Sequence, residues 1–406
     1  WGGSSCLNVP AVFAIRPSRC SARHCLDPPM AAAALALLVA ASSAGYHAAL
    51  ADRIATLGGH VEGEEKVLFA IRHGESDWNA GGVFEHFIDV VTLKADAPLT
   101  PKGFCDALAL HEAMWAGRAG SSQLTEIDRV LHDLGQCCQQ GKMSTVTHLT
   151  EPVNALDAQL SIPGLNSGLT VREAMTHTNR AVTTRVFSNL RRAMDTGSIG
   201  LWVPEVGLKG QPSAIVTNHI QELSSGIDAR SNLGKVGDSP QRKFGKRGKK
   251  AIAKLVEQCK LIPKENAKQD IKTFEENVNG YEVDNLEPLW WRANSAEPWH
   301  ERGNWKPVAG FDQQYLNVGN DGPVLCKKFM QDLEAIPSPV VVASGHSHYW
   351  MSFVKEFGAG SQDPTCADAM QRKIANGGVM MMTVSPEERK VTSCKIVWGG
   401  FQEKKE

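Results

Sequence analysis

A surplus of charge of either sign is missing from this chain: 43 lysines and arginines face 44 aspartates and glutamates, a net charge of −1 over 406 residues. No global field therefore draws it to nucleic acid or to a membrane surface. A long apolar run is missing too. The alanine- and leucine-rich stretch 30–45 is too short to cross a bilayer comfortably, so no stable membrane span is expected. The ten cysteines include no C-x-x-C pair and no His-rich zinc spacing, and only Cys137 and Cys138 adjoin. That pattern suits a reducing compartment with mostly buried thiols, scattered secretory disulfides being the alternative. The basic stretch 235–250 carries Arg242, Lys243, Lys246, Arg247, Lys249 and Lys250 but no aromatic platform beyond Phe244. It reads as a solvated insertion rather than a surface for stacking bases, with an acidic-ligand contact or a localisation signal as the other reading.

What is present is ordinary for a soluble globular protein: 42% hydrophobic and 21% charged residues. The chain begins at Trp1, as expected of a fragment, a processed product or read-through of an upstream region. Residues 1–29 show no periodicity. The stretch 30–45 resembles a secretory h-region, though no basic segment separates Met30 from it; an alanine-rich leader is the plainer reading. Residues 1–60 are thus expected to be leader or disordered, leaving the compartment open between cytoplasmic and secretory. Residues 61–406 are expected to form one catalytic domain with insertions at about 117–180 and 235–325.

Buried strands are predicted at Val67–Ala70, Arg185–Phe187, Ala214–Thr217 and Val340–Ala343, with a closing pair at 379–384 and 391–398. Helices are predicted from Thr100, the N-cap before Pro101; over Leu124–Gln139; from Thr170 to Arg180; from Ser188 as a cap; over Leu325–Ile336; and over Tyr349–Phe357, which Gly358 ends. Alternating strands and helices place the chain in the α/β class. Trp290, Trp291, Trp299 and Trp305 read as local packing under a long loop, and His111 as a partly buried structural residue.

The chemistry gathers at strand ends, where α/β sheets bind ligands. Arg72, His73 and Gly74 follow the first strand; Arg192 falls in the first turn after the second; His346 follows the late strand. A guanidinium offers a fixed fork of donors to phosphate, and imidazole is a nucleophile at neutral pH. Converged, these cations suit a dianionic phosphoryl group without a metal. Glu222, just past the third strand, is the first choice for the proton donor, with Asp228 and Glu75 as fallbacks. A metal reading would join His346, His348 and His219, but no carboxylate is spaced to complete it, so no metal and no cofactor is expected. His348 is the substitute for His346 should the late histidine be the second of the pair.

Arg72-His73-Gly74-Glu75-Ser76-Asp77-Trp78-Asn79, then Leu99-Thr100-x-x-Gly103, then Ser188-x-Leu190-x-Arg192-Ala193, a glutamate and a late strand ending in histidine resemble the histidine phosphatase (phosphoglycerate mutase-like) superfamily. The resemblance covers roughly residues 64–400 and implies an α/β three-layer sandwich around a mostly parallel central sheet, with two insertions. It implies that His73 is phosphorylated, that Arg72, Arg192 and His346 line the phosphate pocket, that Ser76 and Asn79 add contacts, and that Glu222 is the proton donor. The partner implied is a small phosphorylated substrate. Mutases of the superfamily carry Asn-Glu-Arg and His-Gly-Asn where this chain has Gln221-Glu222-Leu223 and His346-Ser347-His348, and no late His-Asp pair of the phytase branch is seen. The expectation is a phosphatase, with a mutase-type phosphotransferase or an inactive phosphate-binding scaffold as alternatives.

Overall fold

The structure is a computed structural model that describes residues 65–80, 97–115, 126–141, 143–144, 153–160, 168–188, 190–204, 212, 214–217, 219–223, 255, 286–288 and 322–402. The leader 1–60, the basic stretch, the tryptophan cluster and Asp228 lie outside these residues. Seven strands form one sheet: β1 (Lys66–Arg72), β2 (Thr183–Ser188), β3 (Ala214–Thr217), β4 (Leu286–Pro288), β5 (Val340–Gly345), β6 (Val379–Ser385) and β7 (Lys390–Trp398). Their spatial order is β4-β3-β2-β5-β1-β6-β7. The first five of that order run parallel, and β6 and β7 close the edge as an antiparallel hairpin.

Period two explains why β1 reads as a continuous apolar run. Val67, Phe69 and Ile71 face one layer, built from α1 (Pro101–Trp115), α2 (Glu126–Gln140), α3 (Val171–Thr176) and α4 (Arg191–Gly200). Leu68 and Ala70 face the other, built from α5 (Gly322–Ala335), α6 (Ser347–Phe357) and α7 (Pro364–Ala369). In the second layer Phe329, Tyr349, Trp350 and Phe353 pack edge to face around Phe329. Fully burying such side chains contributes about 1.5–3 kcal/mol each. The sandwich is therefore three layers deep, as the resemblance implies. β4 falls within the stretch 235–325 and extends the sheet beyond β3.

Local chemistry sets several element ends. Thr100 caps α1, its Oγ1 accepting from the Gly103 amide at 3.0 Å. Thr170 and Glu173 form a reciprocal capping box at α3, which ends at Thr176 rather than running on to Arg180. Gly358 terminates α6. Ser188 is not the cap of α4: that place belongs to Leu190, which makes no side-chain cap bond. The Ser188 hydroxyl is turned instead toward His346. His111 is buried as a structural residue; burial lowers its pKa to about 4, more than Asp128 raises it.

The thiol reading is corrected. Cys105 is bonded to Cys138 and Cys366 to Cys394, and Cys137 is disulfide-bonded as well; Cys326 is a buried thiol. Half-cystines 33 and 28 residues apart leave no local spacing signal, which is why the sequence read as reduced thiols.

One glycine contact positions the loop after β1. A Cβ on Gly74 would run into the Gly103 carbonyl oxygen, and one on Gly103 into the Glu75 carbonyl oxygen. The start of α1 thus touches the Gly74–Glu75 backbone directly, where neither side can yield by a rotamer change. Gly103→Ala is expected to destabilise the fold by about 3 kcal/mol and to displace the adjoining loop. Denaturant unfolding checks the first effect; near-wild-type stability would show that the approach relaxes.

Among the described residues, no helix is long and apolar enough to cross a membrane.

Candidate active site

Four parallel strands deliver the singled-out side chains to one edge of the sheet. β1 ends at Arg72, and the His73 amide continues its pairing by donating to the Gly345 carbonyl of β5 at 3.1 Å. β5 in turn hands over to His346, which N-caps α6. β2 leads to α4, whose first turn holds Arg192, and β3 leads to Glu222. Because β5 lies between β1 and β2, residues far apart in sequence become neighbours.

His73 and His346 are both buried, with ring centroids 5.0 Å apart. The His73 Nδ1 lies 2.6 Å from the Gly74 carbonyl. A carbonyl only accepts, so the proton sits on Nδ1 and the Nε2 lone pair faces outward. Burial, reinforced by Arg192, His346 and Arg72, holds the His73 pKa well below the usual imidazole range. His73 is therefore a neutral imidazole with an unprotonated Nε2.

Arg72 donates from Nη1 to the Ile374 carbonyl at 2.7 Å and to Gln402 Oε1 at 3.1 Å. The turn at Gly377, with φ +67°, brings the Gly377 amide onto the Arg72 carbonyl at 3.0 Å. Burial lowers the Arg72 pKa to about 10, so its charge persists at neutral pH. Arg192 is also buried, and only its Nη2 reaches a carboxylate, Glu222 Oε2 at 3.5 Å. Arg72 Nε and Arg192 Nε and Nη1 are buried and make no hydrogen bond among the described residues.

Glu222 sits among these cations. Its Oε2 is 3.2 Å from His346 Nδ1, and its Oε1 is 3.8 Å from Nδ1 of the half-exposed His348. Burial pushes its pKa up, but His346, Arg192 and His73 together outweigh burial and hold the carboxyl well below the usual range. Behind His346 lies Ser188, its Oγ 3.0 Å from Nε2. A chain Ser188–His346–Glu222 thus crosses the site.

The structure therefore brings together Arg72, His73, Arg192, Glu222 and His346. Ser76 is buried nearby in sequence and bridges to Leu99, and its hydroxyl makes no hydrogen bond among the described residues. Asn79 lies in the short helix 77–80, with its side chain outside the described residues. The fallback Glu75 turns its carboxylate to the Thr100 hydroxyl at 3.0 Å and toward Lys102 at 3.9 Å. The histidine set of the metal reading is not assembled: His219 Nδ1 is held by Asp332 Oδ2 at 2.6 Å. A carboxylate does join His346 and a histidine outside that set, since His73, Glu222 and His346 place ligand atoms within 4.8 Å of one another.

Several residues of the site carried no signal in sequence. Thr196 Oγ1 accepts from the Gly74 amide at 3.0 Å and donates to the Arg192 carbonyl at 2.7 Å, tying α4 to the loop after β1. Asp106 accepts from the Glu75 amide at 3.0 Å. Lys373 is close enough to feel both Arg72 and Glu222, and burial followed by Arg72 lowers its pKa. Gln402 and Lys373 follow no strand of the parallel set, so no strand-end argument reaches them.

The resemblance is to the histidine phosphatase superfamily. No family model and no curated protein matches the chain. Solved structures do. An Escherichia coli K-12 protein assigned as an alpha-ribazole-5'-P phosphatase is 12% identical, with 82% of this chain and 96% of that one covered, at a TM-score of 0.31. A protein described as mycobacterial hydrolase 1 is 13% identical over 83% of this chain and 100% of that one, at 0.30. The open reading frame Rv3214 of Mycobacterium tuberculosis is 12% identical over 83% and 98%, at 0.29. TM-scores of this size carry no argument, and the functional reading stands on the chain's own residues.

Proposed function

We propose that this chain is a phosphatase that hydrolyses a phosphomonoester through a phosphohistidine on His73, without a metal. The observation that carries the reading is the set of buried guanidinium nitrogens of Arg72 and Arg192 that make no hydrogen bond among the described residues, beside a neutral His73. Leaving such donors unsatisfied costs about 1–3 kcal/mol each. Phosphoryl oxygens recover that cost and neutralise the charge together.

In the first step the His73 Nε2 lone pair forms the N–P bond as the P–O bond to the alcohol breaks. In ligand-free protein the Glu222 carboxylate occupies the cations itself, bridging Arg192 and His346. An arriving dianion competes for both groups. Glu222 then loses the charges that held its pKa down and, still buried, takes up a proton. It delivers that proton to the leaving oxygen. In the second step the Glu222 carboxylate accepts a proton from water as the water oxygen forms the new O–P bond and N–P breaks. As inorganic phosphate leaves, His73 is again neutral, and Glu222, returned to Arg192 and His346, releases its proton to solvent.

A panel of phosphomonoesters including 3-phosphoglycerate, assayed with excess chelator, tests the reading. Phosphate release at full rate is expected. Isomer formation from 3-phosphoglycerate would move the assignment to a mutase-type transferase, and no reaction with any substrate would favour a binding scaffold. Glu222→Gln is expected to slow alkyl phosphates by about 10²–10³ but p-nitrophenyl phosphate far less, because nitrophenolate leaves without a proton. Equal slowing of both classes would assign the acid to another group.

A further inference from the structure

We infer that His73, His346 and Glu222 also form a site for a tetrahedral transition-metal ion, Zn²⁺ in the first instance, whose occupation blocks the phosphate pocket. The three side chains are buried and their ligand atoms lie within 4.8 Å of one another. Two imidazoles and a carboxylate are a donor set that Zn²⁺ takes with a fourth position left open. Bonds of about 2.0 Å at tetrahedral angles place ligand atoms about 3.3 Å apart. His346 Nδ1 and Glu222 Oε2 already stand 3.2 Å apart. Only His73 has to close, by about 1.5 Å at most, to reach the same spacing.

The ring nitrogens are presented the right way round. His73 Nδ1 is on the Gly74 carbonyl, which leaves Nε2 for an ion. His346 Nε2 is on the Ser188 hydroxyl and its Nδ1 faces the Glu222 carboxylate, so an ion entering between them displaces the proton they share. An oxygen acceptor behind each ligating imidazole fixes the tautomer and raises its basicity. Against the ion stand Arg72 and Arg192, which repel a dication. They weaken binding and favour an anionic fourth ligand such as hydroxide. The expected affinity is accordingly micromolar rather than that of a structural zinc site.

The metal binding does not depend on the phosphatase reading; only the inhibition does. Chelator-stripped protein is titrated with Co²⁺ in phosphate-free buffer. A visible absorption band of tetrahedral intensity at one equivalent is expected, bleached by Zn²⁺. His73→Ala and His346→Ala should lose the band while keeping the wild-type circular dichroism spectrum. His348→Ala should keep it. Ser188→Ala should weaken Co²⁺ binding about 10-fold. In assays, Zn²⁺ should suppress phosphate release and chelator should restore it. Absence of the band, its survival in His73→Ala, or its loss in His348→Ala would overturn the assignment. A band from protein that proves inactive on every phosphomonoester would leave the metal site standing and remove the phosphatase.

Discussion

Replacing His73 by alanine is expected to lower phosphate release by about 10⁵-fold and to abolish covalent labelling by a ³²P-phosphomonoester. Among the described residues, no other side chain at this edge of the sheet combines a bare ring nitrogen with a cationic surround. His346 is committed at both nitrogens, to Ser188 and to Glu222. The wild-type label should be stable in alkali and lost in acid, as a phosphoramidate is. The pH profile supplies an independent check. The deprotonated fraction of His73 rises with pH, and its folded pKa lies well below 6.5, so the nucleophile is already unprotonated where an ordinary histidine is half charged. The acid limb of kcat/KM due to His73 should therefore fall below the ordinary imidazole range. A retained label in His73→Ala, or a wild-type acid limb at or above 6.5 that His73 controls, would sink the mechanism.

Reducing the two paired disulfides is the second large effect expected. Cross-links closing loops between half-cystines 33 and 28 residues apart each stabilise by about 3–4 kcal/mol through the unfolded chain. Together that is of the order of half of a typical folding free energy of about 5–15 kcal/mol. The two should differ in kind. Cys105 is on α1, two residues beyond Gly103, and Asp106 of the same helix holds the Glu75 amide. Opening Cys105–Cys138 should therefore lower both stability and turnover. Cys366–Cys394 joins α7 to β7, and opening it should lower stability with turnover of the folded fraction kept. Denaturant unfolding and phosphate release of the Cys105→Ser/Cys138→Ser and Cys366→Ser/Cys394→Ser pairs decide this. Unchanged midpoints in both would show that the bridges do not constrain the chain.

The sequence alone determined what neighbours along the chain can encode. The apolar runs of β1 and β5, the Thr100 cap with Pro101, the Gly358 stop and the placement of Arg72, His73, Arg192 and His346 at strand ends all follow from periodicity and backbone preference within a few residues. Even the hydrogen bond of His73 to a backbone carbonyl belongs to this class, since Gly74 is the next residue. The tertiary structure decided which strand ends meet. β5 arrives late in the chain yet inserts between β1 and β2, so Ser188 and His346, 158 residues apart, come within 3.0 Å. That single insertion turned an expected helix cap into a histidine partner. The same long-range convergence set Glu222 on His346 and Arg192, and paired cysteines whose spacing gave no sign of each other. Local propensity fixes an element's type and ends; side-chain convergence depends on sheet order, and the burial it brings is what shifts the charges of the site.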